Sequence, residues 1–397
     1  MEYHIADRIA GVQGSMIREL FKLAADPNMI AFGGGNPSPD TFPTGEIARI
    51  TADVLANNPA SVLQYGLSEG YPPLRETMKR HLETVEHISF EKNELFIVSG
   101  GQQCADLITK VLVNEGDTVL VEEPSFVGCL NTFRSYGAKL CGIPMEPDGM
   151  NLEALEKALR EQKKVRLLYI ISSFQNPTGF TTSAEKRKKI YELAKKYDIC
   201  IFEDNPYGEI RFAGEHIDPI KSFDTDGRVL YAGSFSKTMA PAFRLGFLAF
   251  DKALTARITV AKQCTDVHST TLFQYICNEY MTKCDYKGHI ERTCALYRHK
   301  CDLMLGEMEK KFHPDVRFNR PEGGLFVMAF LPEGMDSYPF VAEGIKRGVA
   351  CVPGIAFAAD EGGTHNGFRM NYSSPSDENI VRGIDILGGL THEWMSR

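Results

Sequence analysis

The 397-residue chain has no cysteine in its first hundred residues, and none of its ten cysteines forms a C-x-x-C pair or a metal-like cluster. That absence argues against a disulfide framework and a zinc site, and points to reduced thiols and a cytoplasmic address. No apolar run reaches the length of a membrane span, and Glu2 and Asp7 stand before any apolar stretch, against a signal peptide. A net charge of -8 leaves no basic stripe, so neither nucleic acid nor an anionic membrane is an expected partner. Repeats and low-complexity tracts are missing, and so is G-x-G-x-x-G, which counts against a nicotinamide enzyme. What is there is a chain 43% apolar and longer than one core usually supports, so two domains are expected.

The most informative stretch runs from Gly233 to Gly246 and reads GSFSKTMAPAFRLG. It sets Lys237 among small and apolar residues, with Arg244 seven positions on. A lysine in apolar surroundings beside another cation tends to lose its proton and become a nucleophilic amine, the kind that forms Schiff bases. The hydroxyls of Ser234 and Ser236 and the planar fork of Arg244 are donors suited to a phosphate. A strand, a turn and a second strand with a chance lysine is the alternative reading.

Elsewhere polar residues close a series of apolar runs. Residues 165–172 read as a parallel strand buried on both faces, and they lead to Asn176-Pro177-Thr178-Gly179. As a turn alone this is type I; at the C-terminal end of a buried strand, where α/β sheets bind ligands, its amide can reach a cofactor oxygen. The next run, 199–203, enters Asp204-Asn205-Pro206-Tyr207, so two successive strands end in polar residues facing one crevice. Leu95–Val98 leads into Ser99-Gly100-Gly101-Gln102-Gln103, a glycine pair opening a helix whose unpaired N–H groups suit a phosphate. Thr182 and Glu185 form a capping box for a helix from about 183 to 197. Phe32 to Pro39 is too rich in Gly and Pro for regular structure and brings bare backbone close to its neighbours. In Phe368-Arg369-Met370-Asn371-Tyr372 the alternation turns Arg369 away from its apolar neighbours. Residues 12–25 read as an amphipathic helix carrying Arg18 and Glu19. Residues 66–70 match G-x-S-x-G around Ser68, but only Ser61 to Tyr65 precede it and Pro72-Pro73 follow, so the strand and helix of a hydrolase elbow are missing.

Taken together these motifs resemble the fold type I pyridoxal-phosphate (PLP) aminotransferases of classes I and II, closest in pattern to the branch of α-aminoadipate and kynurenine aminotransferases. The resemblance runs from the glycine loop to Arg369 in family order. It implies that Lys237 holds PLP as an internal aldimine and moves the proton between Cα and C4′. Asp204 would pair with the pyridine nitrogen, Asn176 and Tyr207 would bond the ring oxygen, and Phe126 would stack on the ring. Gly101, Gln102, Ser234, Ser236, Arg244 and a neighbouring subunit's Tyr65 would hold the phosphate. The family usually has Ser, Thr or Ala at the position of Gly101, so only backbone N–H groups would serve there. Arg369 would bind the substrate carboxylate, Gly34 and Gly35 would lie along the substrate, and Arg18 would either meet an acidic substrate side chain or stand as a solvated helix arginine paired with a nearby acid. No metal is implied.

The implied fold is α/β, with a mostly parallel seven-stranded sheet flanked by helices in a large domain over 46–300 and a smaller α+β domain over 301–397. Residues 1–45 would associate with the small domain, and 244–250 would be an antiparallel strand. The expected activity is transfer of the amino group of an L-α-amino acid to a 2-oxo acid, 2-oxoglutarate or pyruvate, in a homodimer whose sites are shared across the interface. A PLP-dependent lyase would use the same cofactor residues. A ligand-sensing regulator is the less favoured alternative, because the glycine loop begins at Phe32.

Overall fold

In the computed structural model, which describes residues 1, 3–10, 12, 29–359 and 365–396, the described strands sort into three sheets. In chain order they are β1 (Ile30–Ala31), β2 (Asn93–Val98), β3 (Thr118–Glu123), β4 (Lys139–Glu146), β5 (Gly149–Met150), β6 (Val165–Ile170) and β7 (Cys200–Asp204). Then come β8 (Val229–Ser234), β9 (Gly246–Asp251), β10 (Arg317–Phe318), β11 (Phe326–Phe330), β12 (Val349–Ala350), β13 (Val352–Pro353) and β14 (Gly367–Asn371). The large sheet has the order β2-β9-β8-β7-β6-β3-β4-β5. It contains the seven expected strands and an eighth, β5, a two-residue strand folded back antiparallel on the end of β4. Smaller sheets have the orders β10-β11-β14-β13 and β1-β12.

The strands of the large sheet are apolar on both faces because helices cover both. Leu167, Tyr169 and Phe202 pack with Leu107 and Phe133 on one side. Their alternating neighbours Leu168, Ile170 and Ile201 pack with Leu155 and Ile190 on the other. Each fully buried side chain of this size contributes roughly 1.5–3 kcal/mol relative to exposure. The helix Ala184–Lys196 is capped one residue later than its sequence suggests: the Ser183 hydroxyl accepts from the Lys186 N–H, and Thr182 is not the cap. Thr182 instead lies buried, its N–H donating to the Ser172 carbonyl.

Direction decides what gathers at one edge. β3, β4, β6, β7 and β8 run parallel, whereas β9 is antiparallel to both β8 and β2. β2 therefore points the same way as β8, and the start of β9 lies where the others end. That start is Gly246. Arg244 lies outside the strand, in a left-handed conformation (φ 50°) that ends the 3-10 turn Pro241–Phe243. In the four-stranded sheet Arg369 of β14 pairs with Met328 of β11. Parallel pairing of β1 with β12 ties the glycine loop to the C-terminal part of the chain. The helix expected over 12–25, with Arg18, falls largely outside the described residues. Among the described residues no helix is long and apolar enough to cross a membrane.

Candidate active site

At the C-terminal edge of the large sheet a cavity of about 300 Å³ opens, lined by side chains that arrive from β2, β3, β6, β7, β8, the start of β9, the glycine loop and β14. Among the described residues, every site residue expected from the sequence lines it except Tyr65 and Gly34; Arg18 lies outside the described residues. Lys237 follows β8 and is half-buried; its Nζ donates to the Gly35 carbonyl at 2.6 Å. Burial, reinforced by the positive charges of Arg369 and Arg244, brings its ammonium down to about 8. At pH 7 about one molecule in ten then carries the free amine, against fewer than one in a thousand for an ordinary lysine.

Asp204 ends β7 and is buried. Burial pushes its carboxyl up to about 7, and the hydrogen bond it accepts from Tyr169, 3.0 Å from hydroxyl to Oδ2, works in the opposite direction. Tyr207, three residues on, is also buried, and burial raises its phenol. Asn176 stands on a turn closed by the Gly179 N–H donating to the Gln175 carbonyl (2.6 Å), four residues back, so the expected type I closure over 176–179 is not made. The turn is held from beneath: Gln175 Nε2 donates to Glu122 Oε2 (3.1 Å) and to the Pro124 carbonyl (2.8 Å), while its Oε1 accepts from the Thr178 N–H (2.9 Å).

Arg369 reaches in from the smaller sheet. Its Nη1 donates to Asn176 Oδ1 (2.6 Å) and its Nη2 to the Gly33 carbonyl (2.7 Å), while Nε is buried with no partner. The guanidinium lies 4.1 Å from the centroid of the Phe326 ring and 4.8 Å from that of Phe357. Burial lowers it to about 10, still a cation at neutral pH.

A second cluster forms a cup. The helix Gly101–Leu112 opens with N–H groups that have no intrahelical acceptor. Gln102 turns its amide away, donating to the Gly128 carbonyl and to Thr132 Oγ1, which leaves its backbone N–H for the cup. Gly100 has φ 81°, and a Cβ built there would meet Arg244 Nη2 at 2.6 Å. At Gly101 a Cβ would meet nothing within 4 Å. Ser234 and Ser236 complete the lining. Phe126, at the N-cap of Val127–Ser135, is half-buried against the core and lines the cavity as well.

Tyr65 does not line this cavity. It is 82% exposed, with its ring edge-on to His268. Gly34 is buried behind Gly35. Ser68 sits in a turn after the short helix Pro59–Leu63, with no strand leading into it, so the hydrolase elbow is absent. Sequence reasoning missed Tyr169, Glu122, Gln175, Phe326 and Phe357. Each lies inside an apolar run or a loop, and only the fold places it against a polar site residue.

The donor set fits PLP: a cationic, hydroxyl-lined helix N-terminus for a phosphate, a buried carboxyl for a pyridinium, and an amine of lowered pKa between them. It also offers an arginine whose orphaned Nε can meet a substrate carboxylate. An α/β fold with this constellation defines a PLP-dependent enzyme of fold type I. Residues 27–387 match the model of the aminotransferase class I and II family, and the chain belongs to that family. An aromatic-amino-acid aminotransferase from Thermococcus litoralis is 39% identical over 100% of this chain and 96% of its own length. A Pyrococcus horikoshii kynurenine aminotransferase structure superposes with TM-score 0.95 at 36% identity, covering 98% of this chain and 97% of that one. An α-aminoadipate aminotransferase from Thermus thermophilus, solved with N-(5'-phosphopyridoxyl)-L-leucine, gives TM-score 0.91 at 32% identity over 99% and 98% of the two chains. The protein is a PLP-dependent aminotransferase.

Proposed function

We propose that this aminotransferase takes an L-α-amino acid as donor and 2-oxoglutarate or pyruvate as acceptor, and that the donor belongs to the aromatic, kynurenine and 2-aminoadipate classes for which its relatives are named. The observation that carries this reading is the convergence of Lys237, Asp204, Asn176 and Arg369 on one cavity beside the Arg244 cup. PLP supplies the electron sink for breaking the Cα–H bond. Lys237 Nζ is the base at that carbon, and general base catalysis of this kind typically contributes ~10²–10⁴-fold. The Asp204 carboxylate holds a proton on the cofactor's ring nitrogen, and the Tyr169 hydroxyl aims it and favours its ionised form. Asn176 and Tyr207 bond the ring oxygen, and Phe126 covers the ring. Gly101, Gln102, Ser234, Ser236 and Arg244 bind the phosphate. Arg369 binds the carboxylate that donor and acceptor share, with Gly34 and Gly35 alongside.

We also take the active enzyme to be a cytoplasmic homodimer in which Tyr65 reaches the partner's phosphate. The exposure of Tyr65 away from its own cavity supports the dimer, and ten free cysteines support the compartment. The division into 46–300, 301–397 and an N-terminal segment over 1–45 is supported by the two main sheets, built from separate stretches, and by the β1–β12 pair.

The test is a panel of aromatic, kynurenine, acidic and aliphatic donors with each acceptor, following oxo-acid formation against ammonia release. Stoichiometric oxo acid without ammonia is expected, and ammonia release from the preferred donor would overturn the reading. Selective loss of kcat/KM for acidic donors in Arg18→Ala would place that arginine at the substrate side chain. A fully active monomer in sedimentation would exclude the shared site.

A further inference from the structure

We propose that this protein carries a second, unassigned site, a surface transition-metal site for Zn²⁺ or a related divalent ion, built from His87, His216 and Asp218. The ligand atoms of these three side chains all lie within 4.8 Å of one another, the one His/Cys/Asp/Glu group among the described residues that does so. Both imidazoles converge on one oxygen: His87 Nδ1 is 2.7 Å and His216 Nε2 3.2 Å from Asp218 Oδ1. A zinc ion held at about 2.0–2.2 Å by tetrahedral N and O ligands spaces them by about 3.4 Å, so sub-ångström to ångström-scale side-chain shifts admit the ion. Glu86 Oε2, 3.8 Å from His216 Nε2, places a buried carboxyl group, which burial holds up at about 8, on the inner side of the cluster.

Two histidine–aspartate contacts on a surface are by themselves ordinary ion pairs. What distinguishes this cluster is that both backbone segments are fixed by buried groups. Arg187 is fully buried, and its Nη1 donates to the carbonyls of Ile217 and Asp218, each at 3.0 Å. The same loop is pinned one step later, where the N–H groups of Ile220 and Lys221 donate to the buried Glu203 carboxylate at 2.9 Å each. On the other side His87 stands between Glu86 and Ile88, both buried, just after the helix Pro72–Val85. Preorganised backbone with half-exposed side chains is an arrangement in which ligands can turn onto an ion without refolding the protein. Two imidazoles and a carboxylate select a borderline ion such as Zn²⁺, Co²⁺ or Ni²⁺ over Mg²⁺ or Ca²⁺, which prefer oxygen ligands. Exposure of 62%, 42% and 48% for His87, His216 and Asp218 leaves the remaining coordination positions to water. The ion would staple the end of Pro72–Val85 to the loop in front of Ile220–Phe223, a structural role away from Lys237. His87 and Asp218 are 131 residues apart in sequence, which is why no metal motif announces the site.

The test titrates ZnSO4 into the PLP-loaded protein by calorimetry and follows thermal unfolding with and without the ion, for wild type, H87A/H216A and D218N. One Zn²⁺ per chain at micromolar concentration is expected, with a higher unfolding temperature. The double variant should lose affinity by at least about 10–100-fold, the cost of removing even an outer partner, and lose the thermal shift while retaining transaminase activity. The D218N variant should bind more weakly than wild type. Wild type binding Zn²⁺ no more tightly than H87A/H216A, or binding Mg²⁺ equally well, would overturn the proposal. An undiminished thermal shift in the double variant would assign the zinc to other ligands, such as the exposed Cys264, and overturn it too.

Discussion

Adjacent glycines at the mouth of the cup should respond in opposite ways to a single added methyl group. Gly100 occupies φ 81°, ψ 170°, a region that is essentially Gly-only, and an alanine forced into it carries about 1–3 kcal/mol of strain. Its Cβ would also fall 2.6 Å from Arg244 Nη2, so the guanidinium must leave its place beside the helix N-terminus. Losing one charge-assisted contact to a phosphate costs about 1.5–3 kcal/mol, a factor of roughly 10–100 in PLP affinity. The strain is present with or without cofactor and should lower the unfolding temperature, whereas the Arg244 displacement should appear only in binding. Gly101 offers open space for a Cβ, so Gly101→Ser should keep stability and hold PLP at least as tightly by adding a hydroxyl to the cup. The assay is PLP titration of cofactor-free protein by absorbance, paired with thermal unfolding of each variant. Gly100→Ala binding PLP within about twofold of wild type, or Gly101→Ser losing as much as Gly100→Ala, would refute the reasoning.

Borohydride reduction of the PLP-loaded protein should label Lys237 alone, and Lys237→Ala should bind PLP through the cup with turnover nearly abolished; label elsewhere would contradict this. Because only the neutral amine reacts, the rate of PLP uptake should rise with pH up to about 8, where Lys237 titrates, and then level off. Arg369→Met removes a cation that lowers this value, so the limb should move to higher pH and every donor should lose affinity; an unmoved limb would exclude the coupling. Tyr169→Phe deletes a hydrogen bond that holds the Asp204 carboxyl down, so the carboxyl should rise further and kcat/KM should fall by about 10–100-fold, more steeply at acidic pH. An unchanged pH profile for that variant would reduce Tyr169 to a packing residue.

Residue chemistry and order along the chain determined much of this protein. Lys237 with two serines and Arg244, the Asn176 and Asp204 turns closing apolar runs, and the glycine pair before a helix were legible because strand burial and turn formation are local. The local signals were imprecise at boundaries. Thr182 and Ser183 are both competent caps, and only packing, which buries Thr182, selects Ser183. Arg244 reads as the first residue of a strand until its left-handed backbone ends the preceding turn. The tertiary structure alone decided which face each run presents and what lies behind it. It set Tyr169 under Asp204, Glu122 and Gln175 beneath the Asn176 turn, and two aromatic rings against Arg369. It also brought His87 to Asp218. None of these pairs is local, so no periodicity or motif encodes it; each exists because sheet order and strand direction carry distant segments to one edge, or one surface, of the same molecule.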